Sequence, residues 1–281
     1  MKIIDCFTFY NELDLLFYRL SILNDVVDKF ILVEATKTHS GNDKPLYYEN
    51  NKLMFSQFQH KIVHIIEDEL LSKNELKNIQ NVGCSGNDYW MNENKQRNSI
   101  NKGLEVIKNE LNDDDYIFIS DVDEIPNPDA LIKLKNNDKI NNIGVLCEYF
   151  YYYSLRHMMT QSWFHSKFVT YELFKQLFEY VPQNVRLVPH DILSKSSYHI
   201  IENGGWHLSY FGDEKFIKNK LENFAHQEFN TEYFKNERRI KECIENNTDL
   251  FNRTDTTIEY IPLEKNNNLP TKHEIYLRKF Y

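Results

Sequence analysis

Apolar runs alternate with helix-like patterns in the first part of the chain. Ile3 to Phe9 and Lys29 to Ala35 are short, largely apolar runs of the kind that forms strands buried on both faces. Between them, apolar residues recur at helical spacing from Leu13 to Leu23, and Asn11 stands where it can cap that helix. His60 to Glu67 predicts a third strand, which follows a loop rich in turn-forming residues.

The alternation continues with a second helix and a fourth strand. Glu93 to Leu111 carries an apolar face at helical spacing, and the stretch from Tyr116 to Pro126 begins as a buried strand. Strands that alternate with helices predict an α/β fold with a mostly parallel sheet covered by helices. In such sheets, ligands bind at the carboxyl ends of the strands.

The second half of the chain is less regular, and nothing in it indicates a second core. We therefore expect it to extend the same sheet, with one domain over residues 1–248 and a tail, residues 249–281, that packs on it. The predicted strands and helices of this half are Ile143 to Tyr153, Lys167 to Tyr171, Tyr198 to Ile201, Gly204 to Phe211, Glu214 to Ala225 and Glu232 to Asn246.

Three carboxylates, Asp121, Asp123 and Glu124, follow the fourth strand. Acids this close repel one another unless a positive charge lies among them. An Asp-x-Asp pair (DxD) at the end of a strand places two carboxylates where a divalent cation and the diphosphate of a nucleotide sugar could bind. The alternative is a solvated acidic turn, because so short a motif also occurs by chance. Glu34 and the segment THSG fall at the same sheet edge and favour the functional interpretation.

Composition narrows the class of protein. The 281 residues are 41% hydrophobic, which is enough for one large core, and the net charge is -9, with lysine and arginine scattered among acids. This charge pattern argues against nucleic-acid binding, which needs a basic surface. The four cysteines form no CxxC pair, and no signal peptide or long apolar segment is apparent. We therefore expect a soluble, cytoplasmic protein without an integral membrane segment.

Four segments follow one another along the chain: NELDLLFYRL, VEATKTHSGNDKPLYY, DVDEIP and GGWHLSYFG. In these segments, and from about Ile3 to Asn230, the sequence resembles glycosyltransferase family 17. The resemblance implies a GT-A-like fold, with a single Rossmann-like sheet and a mixed C-terminal extension. It also implies an inverting transferase that uses a nucleotide sugar, UDP-GlcNAc in characterised members, together with Mn2+ or Mg2+. Animal members carry a Golgi membrane anchor, and no such segment is apparent in this sequence. We therefore expect a glycan or glycoconjugate acceptor other than the protein N-glycan.

The resemblance implies roles for several residues. Asp121 and Asp123 would hold the cation against the donor diphosphate, with His207 as a third ligand, and Glu124 would orient the loop. Three further residues, Arg97, Glu34 and Trp206, are candidates for binding the donor, and Arg97 could instead pair with a DxD carboxylate. Their structural alternatives are a surface arginine, a loop-capping carboxylate and a core aromatic. Less specific candidates for the nucleotide pocket and its phosphates are Thr38, His39, Gly41, Lys167, Lys218 and Lys220.

Single-displacement inversion requires a general base that takes the proton of the acceptor hydroxyl. Glu148 interrupts an apolar strand and Asp213 follows the segment GWHLSYF, which makes them the preferred candidates; Asp191 and Glu202 remain open. The aromatic run from Tyr149 to Tyr153, and also Trp163, either stack on sugar rings or pack in the core.

Two other classes of protein compete with the transferase. In a phosphohydrolase of the strand-DxD type, Asp121 would be the nucleophile, but the GGWH segment would then have no role. An inactive carbohydrate-binding protein is disfavoured by the intact DxD and by His207.

Overall fold

The computed structural model describes residues 1–81, 89–136, 140, 142–189 and 198–281, so the candidate base Asp191 lies outside the described residues. The strands are β1 (Ile3–Phe9), β2 (Lys29–Ala35), β3 (Ile62–Glu67), β4 (Tyr116–Asp121), β5 (Glu124–Pro126), β6 (Ile143–Tyr152), β7 (His157–Met159), β8 (Lys167–Thr170), β9 (Tyr198–Ser209) and β10 (Ile258–Tyr260). The α-helices are α1 (Leu13–Leu23), α2 (Tyr47–Asn50), α3 (Lys73–Asn81), α4 (Tyr89–Asn98), α5 (Ile100–Val106), α6 (Pro128–Asn136), α7 (Tyr171–Gln176), α8 (Pro182–Arg186), α9 (Glu214–Asn223), α10 (Glu237–Glu245) and α11 (His273–Tyr276).

These strands form a single mixed sheet in the order β10-β7-β6-β8-β4-β1-β2-β3, with β9 beside β6 and β5 beside β9. β3, β2, β1 and β4 are parallel to one another, β8 is antiparallel to both β4 and β6, and β9 is parallel to β6. The prediction of an α/β fold with one Rossmann-like central sheet flanked by helices is confirmed.

The first strands are continuously apolar because both faces of the sheet are covered. Phe7 of β1 belongs to the cluster that includes Leu16 and Leu20 of α1, whereas Cys6 belongs to the cluster on the other face, with Leu104 of α5. A strand covered on both faces has no exposed side, so its sequence does not alternate between apolar and polar residues. This explains why the predicted bounds of β1 and β2 agree with the structure.

Two predicted helix features differ from the structure. Asn11 does not cap α1, because the helix begins after Glu12 without a side-chain cap, and the Asn11 amide instead donates to Asn219 Oδ1 at 3.4 Å. The predicted helix from Glu93 to Leu111 is divided at Ser99, whose hydroxyl lies 3.1 Å from the Lys95 carbonyl oxygen and also bonds a carboxylate of β3. Serine side chains compete with the helical backbone in this way.

The segments predicted as Tyr198 to Ile201 and Gly204 to Phe211 form one strand, β9, which follows β6 along its length with a register shift near Glu148. β9 also pairs with β5, and this pairing places His207 opposite Glu124. The structure therefore brings the GGWH segment directly against the acidic loop.

The C-terminal residues contact the rest of the chain at several points. β10 pairs with β7, the Leu155 amide donates to the Phe280 carbonyl at 2.9 Å, and the Tyr18 hydroxyl donates to the Thr271 carbonyl at 2.9 Å. The domain boundary at residue 248 stays a prediction. Within the described ranges, no helix combines the length and the apolarity needed to cross a membrane. The cytoplasmic location also stays a prediction.

Gly205 permits the close approach of β9 and β5. A Cβ atom at Gly205 would lie 2.3 Å from the Ile125 carbonyl oxygen, which cannot turn aside. We expect Gly205→Ala to lower the free energy of unfolding by about 1–3 kcal/mol, as overpacking does. Urea unfolding would measure this loss.

Gly103→Ala is the matched control, because its Cβ would meet the Ile31 side chain, which can change rotamer. We expect a smaller loss there, since alanine also favours the helix. Equal losses at the two positions would contradict the close-approach argument.

Candidate active site

A cavity of about 840 Å³ opens at the carboxyl edge of the parallel strands. We call it the edge cavity. Thr8 reaches it from the end of β1, Thr38 from the loop after β2, and Asp121 and Asp123 from the end of β4. His207 of β9 lines it as well. The sheet edge that the sequence singled out is therefore a concave site.

Arg19 holds the acidic loop from behind. This side chain is fully buried in α1, and its Nε and Nη2 atoms donate to the Asp5 carboxylate at 2.8 and 2.6 Å. Nη1 donates to the carbonyl oxygens of Asp121 and Glu124, both at 2.7 Å, and Nη2 donates to Ser120 Oγ at 2.7 Å. A guanidinium has five N–H donors in a rigid fork, and here every one has a partner.

Sequence reasoning missed Arg19, although a signal was present. Arg19 lies three residues after Leu16 and four before Leu23, on the apolar face of the predicted helix. A charged residue on such a face is buried with a partner or not buried at all.

Asp121 faces two arginines. Its Oδ1 accepts from Thr8 Oγ1 at 2.7 Å and from Arg97 Nη2 at 2.9 Å, and its Oδ2 accepts from Arg186 Nη2 at 3.0 Å. Burial acts to raise the pKa of the Asp121 carboxyl, but the charges of Arg97 and Arg186 outweigh it and hold the pKa well below its usual range. Asp121 is therefore ionised, and the two arginines neutralise its charge.

The Glu124 side chain fixes the conformation of the acidic loop through its hydrogen bonds. Arg186 donates to both Glu124 oxygens, at 2.5 and 2.6 Å, the Trp163 indole donates to Oε1 at 2.6 Å, and the Asp121 amide donates to Oε2 at 2.9 Å. Burial acts to raise the pKa of Glu124, but Arg186 lowers it to about 2. Arg186 is the second residue that sequence reasoning missed, because it ends the short helix α8, in a stretch without periodic pattern.

Asp123 faces Lys220 of α9. Lys220 Nζ donates to Asp123 Oδ2 at 3.0 Å and lies 3.7 Å from Glu12 Oε1. Burial acts to lower the pKa of Lys220, but Asp123 and Glu12 outweigh it, so the pKa is raised and the ammonium stays charged. Of the lysines proposed from the sequence, Lys220 is the one that lines the edge cavity.

His207 completes this side of the cavity. Its ring stacks on Phe150, with centroids 4.7 Å apart, and lies 4.2 Å from the Trp163 ring centroid. Nε2 is 3.8 Å from Asp123 Oδ2, while the buried Nδ1 has no hydrogen-bond partner among the described residues. Burial lowers the pKa of His207, which favours the neutral imidazole that can ligate a metal.

The described residues fit a cation only in part. No group of three His, Cys, Asp or Glu side chains within the described ranges is arranged to hold a metal ion. Asp121, predicted as a ligand, is instead bonded to Arg97 and Arg186. Asp123 and His207 supply one oxygen and one nitrogen, which suits a cation that takes its remaining ligands from substrate phosphates and water.

Two predicted donor contacts lie elsewhere. Glu34 is fully buried and accepts from the amides of Tyr48, at 2.9 Å, and Glu49, at 3.3 Å, at the start of α2. Its side chain points to the sheet face that α2 covers, so it is the loop-capping carboxylate of the alternative interpretation. Trp206 packs in the core and donates to the Asn268 carbonyl at 2.9 Å. Neither residue lines the edge cavity.

The candidate bases are also away from the cavity wall. Glu148 is fully buried, and both burial and the neighbouring Glu124 raise its pKa. Asp213 caps α9 by accepting from the Phe216 amide at 2.8 Å, and Glu202 is exposed on β9. The structure gives each of the three a position that does not face the cavity.

The loop after β2 reaches the cavity as the sequence predicted. Thr38 and His39 line it, and His39 Nε2 lies 2.8 Å from Gln96 Oε1. Gly41 adopts a positive φ of 82°, and a Cβ there would lie 2.4 Å from the Lys73 amide nitrogen. Gly41 thus shapes the loop and does not line the cavity.

The other aromatic and basic candidates divide between core and surface. Trp163 lines the cavity beside His207, whereas Tyr151 is buried in the core. Lys167 donates to the Arg186 carbonyl at 2.9 Å and so binds the C-terminal end of α8. Lys218 pairs with Glu237 on the surface.

The model of the family described as glycosyltransferase family 17 matches residues 1–272. The chain belongs to glycosyltransferase family 17. The resemblance found in the sequence is thereby confirmed.

Curated relatives in family 17 match over part of the chain. The rat and human proteins named beta-1,4-mannosyl-glycoprotein 4-beta-N-acetylglucosaminyltransferase are each 28% identical over 140 residues, which is 49% of this chain. The mouse protein of the same name is 27% identical over the same length. The matched stretch spans only 24% of the length of each relative.

Among solved structures, the inositol-1-phosphate CTP transferase from T. maritima aligns with this chain at a TM-score of 0.36 and 11% identity. The alignment covers 76% of this chain and 93% of that one.

The buried pair of Arg19 and Asp5 gives a prediction about stability. Arg19→Met leaves the Asp5 carboxylate buried without its partner, which costs roughly 3–5 kcal/mol of unfolding free energy in comparable cases. We expect urea unfolding to show a loss of that size. The double variant with Asp5→Asn should lose less than the sum of the two single losses.

Arg238→Met is the control, because Arg238 pairs with Glu242 on an exposed helix face. We expect a change of at most about 0.5 kcal/mol there. An equally small change for Arg19→Met would contradict the assignment of Arg19 as the support of the loop.

The low pKa of Glu124 gives a prediction about acid stability. Its folded pKa of about 2 lies below its ordinary value of 4.5, so its ionised form stabilises the protein above pH 4.5 and this contribution is lost as the pH falls towards 2. We expect wild type to lose about 2 kcal/mol more than Glu124→Gln between about pH 5 and about pH 3. Urea unfolding at both pH values measures the difference, and equal losses would contradict it.

Proposed function

We propose that this chain is a glycosyltransferase that transfers a sugar, GlcNAc from UDP-GlcNAc, to a glycan acceptor with inversion. The observation that carries the proposal is the DxD loop of a family 17 chain, which faces a cavity large enough for a nucleotide sugar. The rat and human relatives that match part of the chain are named as N-acetylglucosaminyltransferases, which supports the choice of sugar.

The proposal places the nucleoside at the end of the cavity formed by β1, β2 and α4. Thr8, Thr38 and His39 line that end, at the carboxyl edge where Rossmann-like sheets bind ligands. The diphosphate then falls beside Asp123, with Lys220 and Arg186 as the nearby positive charges.

The proposed reaction is a single displacement at the anomeric carbon. The acceptor hydroxyl oxygen forms a bond to that carbon, the bond to the β-phosphate oxygen breaks, and UDP leaves with the electron pair. The acceptor proton passes to a base. A divalent cation, Mn2+ or Mg2+, held by Asp123 and His207 would supply Lewis-acid neutralisation of the diphosphate. Arg186 and Lys220 contribute positive charge at the same place.

The bonding of Asp121 weighs against a phosphohydrolase with this residue as its nucleophile. Arg97 and Arg186 bond both oxygens of this carboxylate, and Thr8 bonds one of them. An attacking oxygen would have to leave these partners. Membership of family 17 also favours the transferase over a carbohydrate-binding protein without activity.

Asp123→Asn tests the proposal through nucleotide binding. Calorimetry with UDP and Mn2+ should show binding to wild type, and a loss of at least about tenfold in the variant, since roughly 1.4 kcal/mol corresponds to a factor of ten. Slow release of free sugar from UDP-GlcNAc should fall in parallel.

Asp129→Asn is the matched control, because Asp129 is exposed at the start of α6. It should bind UDP like wild type. If wild type binds no nucleotide, with or without metal, the proposed function is wrong.

A further inference from the structure

Two groups lie against the same carboxylate oxygen. Asp123 Oδ2 accepts from Lys220 Nζ at 3.0 Å, and His207 Nε2 lies 3.8 Å from that oxygen. A cation shared by Asp123 and His207 would sit against the oxygen that faces the imidazole. Lys220 donates to the same oxygen and so competes with such a cation for it.

Lys220 is held there by its surroundings. Its Nζ lies 5.3 Å from the Tyr210 ring centroid, and α9 is fixed at its start by the Asp213 cap. Glu12 provides a second carboxylate at 3.7 Å. The ammonium therefore has another partner within a short side-chain movement if Asp123 is taken by something else.

The charges of the loop are balanced without any ligand. Asp121 forms ion pairs with Arg97 and Arg186. Arg186 also pairs with Glu124, and Lys220 pairs with Asp123. A free divalent cation would enter a site whose carboxylates are already paired, and it would lie close to the Lys220 ammonium. Like charges at such distances repel strongly where water is excluded.

A diphosphate changes this balance, because it brings several negative charges and many oxygen ligands. One of its oxygens can accept the Lys220 ammonium, which frees Asp123 Oδ2. The same diphosphate can supply the ligands that two protein side chains cannot.

We propose that Lys220 blocks the DxD carboxylate against a free divalent cation and thereby makes cation binding depend on the nucleoside diphosphate. Without the diphosphate, Lys220 neutralises Asp123. When the diphosphate enters, Lys220 turns to it and to Glu12, and Asp123 and His207 become available as ligands. The inference rests on the proposed function in one respect only, that the ligand is a nucleoside diphosphate.

The test measures Mn2+ binding directly, by the electron paramagnetic resonance signal of free Mn2+, with and without UDP. For wild type we expect weak binding of Mn2+ alone and at least about tenfold tighter binding with UDP, a change of roughly 1.4 kcal/mol. Lys220→Gln should bind Mn2+ alone at least about tenfold more tightly than wild type, because Asp123 is then unpaired.

Lys218→Gln is the matched control, because Lys218 lies on the same helix but pairs with Glu237 on the surface. It should behave like wild type in both conditions. Lys220→Met keeps the apolar stem near Tyr210 and replaces the Gln variant if that variant does not fold.

Each outcome decides a separate point. If wild type and the Lys220 variants bind Mn2+ alone with equal affinity, the blocking role is overturned. If UDP binds to none of them under any condition, the proposed function fails. The arms without nucleotide still decide in that case whether Lys220 blocks the carboxylate.

Discussion

The buried guanidinium of Arg19 is the constraint on which the geometry of the acidic loop depends. It joins three parts of the chain, since Arg19 belongs to α1, Asp5 to β1, and the carbonyl groups of Asp121 and Glu124 to the turn after β4. Any shift of the turn would leave a buried donor or acceptor without a partner, which costs about 1–3 kcal/mol for each group. The positions of the carboxylates therefore depend on the packing of α1 on the sheet.

The second half of the site depends on a pairing between distant strands. β5 follows the DxD at once, and it pairs with β9 so that Glu124 stands opposite His207. Gly205 allows this pairing, because the backbone of β5 leaves no room for a side chain there. Two segments separated by about eighty residues thus form one wall. In this wall the imidazole packs against the rings of Phe150 and Trp163, which also contact each other.

What the sequence predicts well is what local chemistry decides. The bounds of β1 and β2 follow from burial on both faces, and the DxD at the strand end is visible because three acids follow an apolar run. Side-chain direction is not visible in this way. Glu34 ends a strand at the correct edge but points to α2, and Arg186 belongs to a helix too short to show a period. Both depend on tertiary packing, which no spacing rule encodes.

The carboxylates of the acidic loop are all paired with positively charged side chains of the protein, and this limits how an anionic ligand can bind. Attraction to excess positive charge cannot be the main term, because Asp121, Glu124 and Asp123 already pair with the nearest cations. A diphosphate has to compete with these carboxylates for the positively charged side chains. The side chain most readily released is the one that has a second carboxylate within reach. Lys220 meets that condition through Glu12, whereas Arg186 is fixed by two bonds to Glu124. Movement on binding is therefore expected in the Lys220 side chain, while the arginines keep the loop in place.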